Sequence, residues 1–212
     1  IQFHPEEVHT EKGTEIMKNF VLKVCHANQD WTMEKFVENT VEKISKVEGN
    51  VLCGVSGGID STVTALLIHK AIGNRLTCVF VDNGLLRLNE AEEVENMFRK
   101  NFEINFTKID EQEQFLSRLN GVTDPEEKRK IVGEEFVNIF TKFSKENGPF
   151  TWLAQGTLYP DVIESGVSKG PASVIKTHHN VGGLPDWLDL KVLEPLRDLY
   201  KDEVRKVAKI IG

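Results

Sequence analysis

Cysteine is scarce in this chain: only Cys25, Cys53 and Cys78 occur among 212 residues. They lie far apart in the sequence, which excludes a C-x-x-C redox pair and a zinc site built from closely spaced cysteines. Cys53 and Cys78 sit inside apolar runs typical of strands, where a thiol behaves as a small hydrophobic group. We therefore expect three buried, reduced thiols without a catalytic role.

Long apolar runs and excess positive charge are also missing. No run of about 18 apolar residues occurs, and the first residues lack the basic-then-apolar order of a secretory signal, so a cytoplasmic location without a membrane partner is expected. The formal net charge of -7 argues against a nucleic-acid partner, because phosphate backbones are bound by clustered lysine and arginine. Small anionic ligands are compatible with a local basic cluster such as Lys128-Arg129-Lys130.

Hydrophobic periodicity predicts strands alternating with helices. The predicted strands cover 51–55, 76–81, 103–109 and 150–154, and the predicted helices cover 33–47, 60–72, 90–100, 125–143 and 201–211. The stretch between the fourth strand and the last helix is glycine-rich and is expected to be irregular. This order predicts an α/β fold, a doubly wound parallel sheet with helices on both faces and ligands at the carboxyl ends of the strands.

A loop rich in glycine and hydroxyl groups joins the first strand to the next helix. Its residues are Ser56, Gly57, Gly58, Ile59, Asp60, Ser61 and Thr62. Glycine lets the backbone approach phosphate closely, and the positive end of a helix dipole favours an anion. The three hydroxyls can donate further hydrogen bonds, so we expect this loop to bind the phosphates of ATP. A serine-glycine turn before a capped helix is the alternative.

Asp60 is an acidic residue in a loop expected to bind an anion. Magnesium prefers carboxylate, water and phosphate ligands, so Asp60 is predicted to hold Mg²⁺ against the phosphates. The alternative is an ordinary carboxylate in the first turn of a helix. Neither G-x-x-x-x-G-K-[ST] nor G-x-G-x-x-G occurs between Gly54 and Thr62, which argues against a Walker-type NTPase.

The pattern S-G-G-I-D-S resembles the loop of N-type ATP pyrophosphatases, enzymes with an adenine nucleotide alpha hydrolase-like fold that release pyrophosphate from ATP and leave AMP on the substrate. Six further segments resemble the GMP synthetase family, in family order and over nearly the whole chain. They cover 81–87, 125–133, 153–157, 159–165, 175–180 and 200–205.

This resemblance implies a ligase that adenylates XMP with ATP and Mg²⁺, releases pyrophosphate, and uses ammonia from glutamine to form GMP and AMP. It implies a catalytic lid containing Asp161, Glu164 and Lys176, and an XMP contact at Arg129. Lys176 would neutralise phosphate charge, while the two carboxylates could hold magnesium or order the lid. Solvated surface charges are the alternative for all three lid residues.

Two other polar groups near the end of the chain are weaker candidates. Lys201, Asp202 and Arg205 form a charged helix face that pairing within the helix explains adequately. His178 and His179 diverge if they lie on a strand and have no third ligand near them in the sequence, which favours substrate or lid contacts over zinc.

The segment Gln2-Phe3-His4-Pro5-Glu6 resembles the end of a class I glutamine amidotransferase domain, whose catalytic triad includes H-x-E. The resemblance implies that His4 is a base and that Glu6 orients it. Residues 1–28 would then end a glutaminase domain and residues 29–212 would form the ATP-pyrophosphatase domain, with a C-terminal dimerisation domain absent. We expect that this chain alone does not hydrolyse glutamine and that the complete protein is a homodimer.

Alternatives stay open at this point. The chain could be another N-type ATP pyrophosphatase, such as an NAD synthetase, an asparagine synthetase or a tRNA-thiolating adenylase. The last would call for paired cysteines and a basic surface, which are absent. It could also be an adenine-nucleotide sensor that binds ATP without catalysis.

Overall fold

A computed structural model describes residues 1–166 and 190–212. The elements, in order, are α1 (Gly13–Lys18), a π-helix (Asn19–Val24), α2 (Met33–Ser45), β1 (Val51–Gly54), α3 (Ile59–Ile72), a 3₁₀ helix (Gly73–Arg75), β2 (Leu76–Asp82), α4 (Glu90–Asn101), β3 (Asn105–Asp110), α5 (Gln112–Leu119), α6 (Pro125–Asn147), β4 (Trp152–Ala154), α7 (Tyr159–Gly166), β5 (Lys191–Leu193) and α8 (Lys201–Ile211).

The strands in the described ranges form one parallel sheet in the order β3-β2-β1-β4-β5. The chain runs outward from β1 through β2 to β3 and then places β4 on the other side of β1. The strand order therefore reverses beside β1, and this reversal is where ligands bind in doubly wound sheets. The predicted parallel α/β fold is confirmed.

Helices cover both faces of the sheet. Cys53 of β1 and Phe80 of β2 face α3 and α4 in one buried cluster. Leu52 and Val79, which alternate with them along the same strands, pack against α5 and α6 on the opposite face. A third cluster joins α2 and α8 to the outer side of α3. The start of α3 is thus held between the sheet and two further helices.

The predicted helices and strands are all present, with ends shifted by a few residues. Thr32 caps α2 by accepting a hydrogen bond from the Lys35 N–H (3.3 Å), and Gly73, in the left-handed region at φ 58°, ends α3. The expectation of an irregular stretch before the last helix is wrong where α7 and β5 lie, and residues 167–189 of that stretch fall outside the described residues. The short lengths of these two elements, eight and three residues, give little periodicity to detect.

The cysteines divide into two kinds. Cys53 and Cys78 are buried opposite each other on β1 and β2, and hydrogen bonding with Cys53, together with burial, raises the pKa of the Cys78 thiol. Both are core thiols as predicted. The prediction is wrong for Cys25, which is exposed because it follows the π-helix, whose residues contribute nothing to the buried core.

No helix within the described ranges is both long enough and apolar enough to cross a lipid bilayer.

Candidate nucleotide-binding site

The glycine-rich loop lies where the strand order reverses. It follows β1 directly and leads into the first turn of α3. The chain after the neighbouring strand β4 approaches it closely, since a Cβ atom on Gly156 would lie 3.2 Å from the backbone carbonyl carbon of Asp60. The carboxyl ends of β1 and β4 and the amino end of α3 therefore meet at one point, as predicted for a ligand site.

Four backbone N–H groups of this loop are free. Those of Gly57, Ile59, Asp60 and Ser61 donate to no acceptor in the described part of the chain. They lie at the amino end of a 14-residue helix, whose dipole adds positive potential there. The loop can therefore donate several hydrogen bonds to one anionic group.

The loop hydroxyls, in contrast, are engaged with the loop itself. Ser61 Oγ accepts from the Ser56 N–H (3.1 Å) and donates to the Gly58 carbonyl oxygen (3.0 Å). Thr62 Oγ1 donates to the same oxygen (3.0 Å), and Ser56 Oγ accepts from the Gly58 N–H (3.3 Å). These side chains fix the loop's shape, and the backbone supplies its free donors.

Gly57 has two reasons to be glycine. Its φ of 78° lies in the left-handed region, which other residues adopt at a cost of about 1 kcal/mol or more. A Cβ atom there would also lie 2.4 Å from Cγ2 of Val94, a buried residue of α4. The packing of α4 against the loop thus requires a residue without a side chain at position 57.

Asp60 makes an ion pair that the sequence did not predict. Its Oδ2 accepts a hydrogen bond from the ammonium group of Lys201, the first residue of α8. The interpretation of Lys201 as paired within its own helix is wrong, because α8 packs against α3 and brings the lysine to the loop. Asp202 instead pairs with Lys206 at 3.5 Å. One signal was available: a lysine at the start of a helix opposes the helix dipole.

The second carboxylate oxygen of Asp60 is unsatisfied. Oδ1 is buried and has no hydrogen-bond partner among the described residues. No group of three or more His, Cys, Asp or Glu side chains in the described ranges could hold a metal ion by protein ligands alone. Magnesium bound with a nucleotide needs only one or two carboxylates, because phosphate and water complete its coordination. Asp60 fits that requirement.

The predicted lid residues are described only in part. Asp161 lies in the first turn of α7, where its Oδ2 accepts a hydrogen bond from the Leu158 N–H (2.9 Å). Glu164 lies in the same helix. Lys176 and the pair His178-His179 fall outside the described residues.

Arg129 lies on α6 and pairs with Glu126 at 2.7 Å, with both side chains about half exposed. In the described part of the chain no hydrogen bond or ion pair connects Arg129 to the loop. Its proposed contact with XMP stays a prediction.

His4 and Glu6 are in contact near the start of the chain. The distance from His4 Nδ1 to Glu6 Oε1 is 2.8 Å, and both side chains are exposed. A backbone hydrogen bond and the contact with His4 lower the pKa of Glu6. The carboxylate is thus placed to accept a hydrogen bond from the ring nitrogen, which is the geometry expected of an orienting residue. The catalytic role of the pair stays a prediction.

Sequence comparison adds two findings. The family model described as NAD synthase matches residues 31–138. Curated relatives named GMP synthase [glutamine-hydrolyzing] match over 100% of this chain, with 54% identity in Acetivibrio thermocellus, 56% in Nitratidesulfovibrio vulgaris and 54% in Haemophilus influenzae. The chain spans 42% of the length of the first two relatives and 41% of the third.

Solved structures with similar folds include two NAD synthetases. An NH3-dependent enzyme from Campylobacter jejuni in complex with nitrate superimposes with a TM-score of 0.61 at 14% identity, over 85% of this chain and 74% of that one. A glutamine-dependent NAD+ synthetase from Acinetobacter baumannii in complex with ADP gives 0.59 at 18% identity, over 87% and 34%. At these identities the likeness concerns the fold alone.

Proposed function

This chain belongs to the NAD synthase family, and from that premise we propose that it is the nucleotide-adenylating part of a glutamine-hydrolysing GMP synthase. Its sequence relatives carry that name at 52% to 56% identity, whereas the NAD synthetases share its fold at 14% and 18% identity. The similarity to GMP synthases extends over the entire chain, including the loop and α8.

The proposed reaction has two steps. The oxygen on C2 of XMP attacks the α-phosphorus of ATP, and pyrophosphate leaves. Ammonia then attacks C2, and AMP leaves with that oxygen, giving GMP. Little covalent chemistry falls to the protein, so its contribution is positioning and stabilisation of charge.

The observation that carries this proposal concerns Asp60 and the N–H groups of Gly57, Ile59, Asp60 and Ser61. Within residues 1–166 and 190–212 these donors have no acceptor and Asp60 Oδ1 has no partner. In the proposal the amides bind the phosphates that leave as pyrophosphate, and fixed donors aimed at a leaving group stabilise its developing charge. Magnesium, when bound, would neutralise phosphate charge, and Asp60 would be its protein ligand.

The start of the chain is proposed to end the glutaminase domain that supplies ammonia. The contact between His4 and Glu6 supports this role. So does the exposure of large apolar side chains before α2, which suits a segment belonging to a different domain from the sheet. These side chains are Ile16, Met17, Phe20, Val21 and Val24. The complete protein would act as a homodimer, with XMP contacts that include Arg129 and catalytic help from Asp161, Glu164 and Lys176.

The direct test uses the complete protein with ATP, magnesium, XMP and ammonium, and measures pyrophosphate and GMP. We expect both products in equal amounts, and neither without XMP. Pyrophosphate release that is equally fast without XMP would contradict the assignment of XMP as substrate.

A second measurement separates the source of ammonia. In the complete protein His4→Ala should abolish GMP formation from glutamine and leave formation from ammonium intact, because only the glutaminase step uses the histidine. The 212-residue chain alone should release no glutamate from glutamine. Loss of both activities in His4→Ala would contradict the proposed role.

NAD synthesis is the second candidate, favoured by the name of the family model and by the two fold relatives. Replacing XMP by the carboxylic-acid precursor of NAD in the same assay discriminates between them. Pyrophosphate release with that precursor, and none with XMP, would establish the second candidate. Tight ATP binding without turnover on either substrate would identify a nucleotide sensor.

A further inference from the structure

We propose that Lys201 is a built-in counter-ion that replaces a divalent cation at Asp60 when no metal is bound. The lysine compensates the negative charge of Asp60, so that nucleotide phosphates can bind the loop without repulsion from an unpaired carboxylate. When magnesium binds together with the nucleotide, the metal takes the place of the lysine at Asp60. This inference rests on the proposed function only in taking a nucleoside triphosphate as the ligand of the loop.

The contact joins two helices at their amino ends. Asp60 lies in the first turn of α3, and Lys201 is the first residue of α8, 141 positions later. An ammonium group at that end of a helix is opposed by the helix dipole. The carboxylate of Asp60 accounts for the placement.

The backbone of Lys201 is held firmly. Val204 and Val207, on the following turns of α8, are fully buried against α3 in the cluster that also contains Val63. The Tyr200 N–H donates to Glu203 Oε2 (2.9 Å), which caps the helix, and Trp31 Nε1 donates to the other oxygen of Glu203 (3.3 Å). The position of the Lys201 backbone relative to α3 is therefore fixed, and the side chain reaches Asp60 from there.

Only one of the two carboxylate oxygens of Asp60 accepts a hydrogen bond from Lys201. Lys201 donates to Oδ2, whereas the buried Oδ1 has no hydrogen-bond partner among residues 1–166 and 190–212. A buried polar atom without a hydrogen-bond partner is costly in a low-dielectric surrounding. The remaining oxygen is suited to a second cation, and the side chain of Lys201, 44% exposed, can leave for solvent or phosphate when that cation binds.

Electrostatics then sets the consequence of removing the lysine. With neither magnesium nor Lys201, the phosphates of ATP would lie beside an uncompensated negative charge in a partly buried site, where such repulsion is strong. With magnesium present, the metal compensates the carboxylate and the lysine matters less. Lys201 should therefore govern how strongly ATP binding depends on magnesium.

The test measures the dissociation constant of an α,β-methylene analogue of ATP by calorimetry, once in EDTA and once in excess magnesium, for the 212-residue chain. In Lys201→Met the ratio of the dissociation constant in EDTA to that in magnesium should be at least about tenfold higher than in the unsubstituted chain. Removing the carboxylate as well, in Asp60→Asn/Lys201→Met, should return the ratio towards one. Lys206→Met is the matched control, since it breaks a surface pair on the same helix and should leave the ratio unchanged.

A second variant, Lys201→Arg, keeps the charge and should hold the ratio within about twofold of the unsubstituted chain. If Lys201→Met weakens binding equally with and without magnesium, the lysine contacts phosphate directly and the counter-ion role is refuted. An unchanged ratio in a folded Lys201→Met chain refutes it as well. If the unsubstituted chain binds no analogue under either condition, the proposed function itself fails.

Discussion

Two carboxylates in this molecule each accept a hydrogen bond from a cation on another helix, and they differ in what surrounds them. Glu135 on α6 pairs with Arg118 on α5, and Asp60 on α3 pairs with Lys201 on α8. Glu135 is 2% exposed and both of its oxygens have partners. The side chain of Asp60 is 29% exposed, yet its Oδ1 is buried and has no hydrogen-bond partner in the part of the chain that the structure describes.

Protein side chains satisfy both carboxylate oxygens of Glu135. Gln114 and Arg118 donate to its two oxygens, Asn138 approaches Oε1 at 3.5 Å, and Arg118 also pairs with Glu134 at 3.0 Å. Burial raises the pKa of Glu135, but the hydrogen bonds from Arg118 and Gln114 lower the pKa by more, so it lies below its ordinary value of 4.5. This pair fastens α5 to α6.

The comparison teaches how to tell a structural ion pair from a site. A structural pair satisfies every oxygen, because a buried polar atom without a partner is costly. A site keeps an unsatisfied oxygen beside free donors, because a ligand will complete both. In both pairs a carboxylate oxygen accepts from a cation on another helix, and the pairs differ in burial and in the hydrogen-bonding groups left without a partner among the described residues.

The largest expected effect is on turnover. In the complete protein, Asp60→Asn should lower the rate of pyrophosphate release with XMP by at least about 100-fold, because it removes the charge proposed to hold magnesium and keeps the side chain's shape. Its stability should change by less than about 1 kcal/mol, since Lys201 can turn to solvent.

The matched variant for that experiment is Glu135→Gln, which should lower stability and leave turnover per folded molecule unchanged. Assays of pyrophosphate release and of urea unfolding on both variants provide the comparison. Equal turnover in Asp60→Asn and the unsubstituted protein would remove Asp60 from the site and erase the distinction.

The next effect is on stability. Arg118→Met should lower the free energy of unfolding of the chain by about 2 kcal/mol, because Glu135 is then left buried without its cation. The loss is smaller than for a fully buried pair because Arg118 is 37% exposed. Urea unfolding measures it, and binding of the ATP analogue should not change. A loss below about 0.5 kcal/mol would place this pair with ordinary surface pairs.

The same variant has a defined pH dependence. Because the folded-state pKa of Glu135 is lowered, its contribution to stability is present above 4.5 and is lost as the pH falls through the folded-state value. In Arg118→Met, only the hydrogen bonds from Gln114 and Asn138 still oppose the effect of burial on the pKa of Glu135, so the carboxyl group should bind a proton more readily. The difference in unfolding free energy between the two chains should therefore be largest at neutral pH and shrink below pH 4.5. A difference that grows on acidification would contradict this account.

The smallest effect is expected for Lys206→Met. This lysine pairs with Asp202 at 3.5 Å, and both side chains are about two-thirds exposed. Such pairs contribute less than about 0.5 kcal/mol, so the midpoint of urea unfolding should hardly move and the ATP analogue should bind as before. A larger loss would show that α8 depends on this pair for its position.

Much of the fold followed from local patterns. The strand at 51–55, the loop and the helix stopped by Gly73 are one continuous segment in which valine content, glycine and helical spacing each act locally. The elements that were missed are short or expose most of their surface: in α5 only Phe115 is buried, and β5 has three residues. Their formation depends on the neighbours they pair or pack with, which no local pattern records.

The sequence alone established the parallel α/β fold and the position of the glycine-rich loop between β1 and α3, since both depend on residues close together in the chain. It could not establish that Lys201 neutralises Asp60, or that Glu135 is satisfied by Arg118, because those partners meet only when α8 packs on α3 and α5 on α6. The folded structure likewise decided which loop donors are engaged: the hydroxyls of Ser61 and Thr62 donate to the Gly58 carbonyl oxygen, whereas four backbone N–H groups of the loop have no acceptor among the described residues.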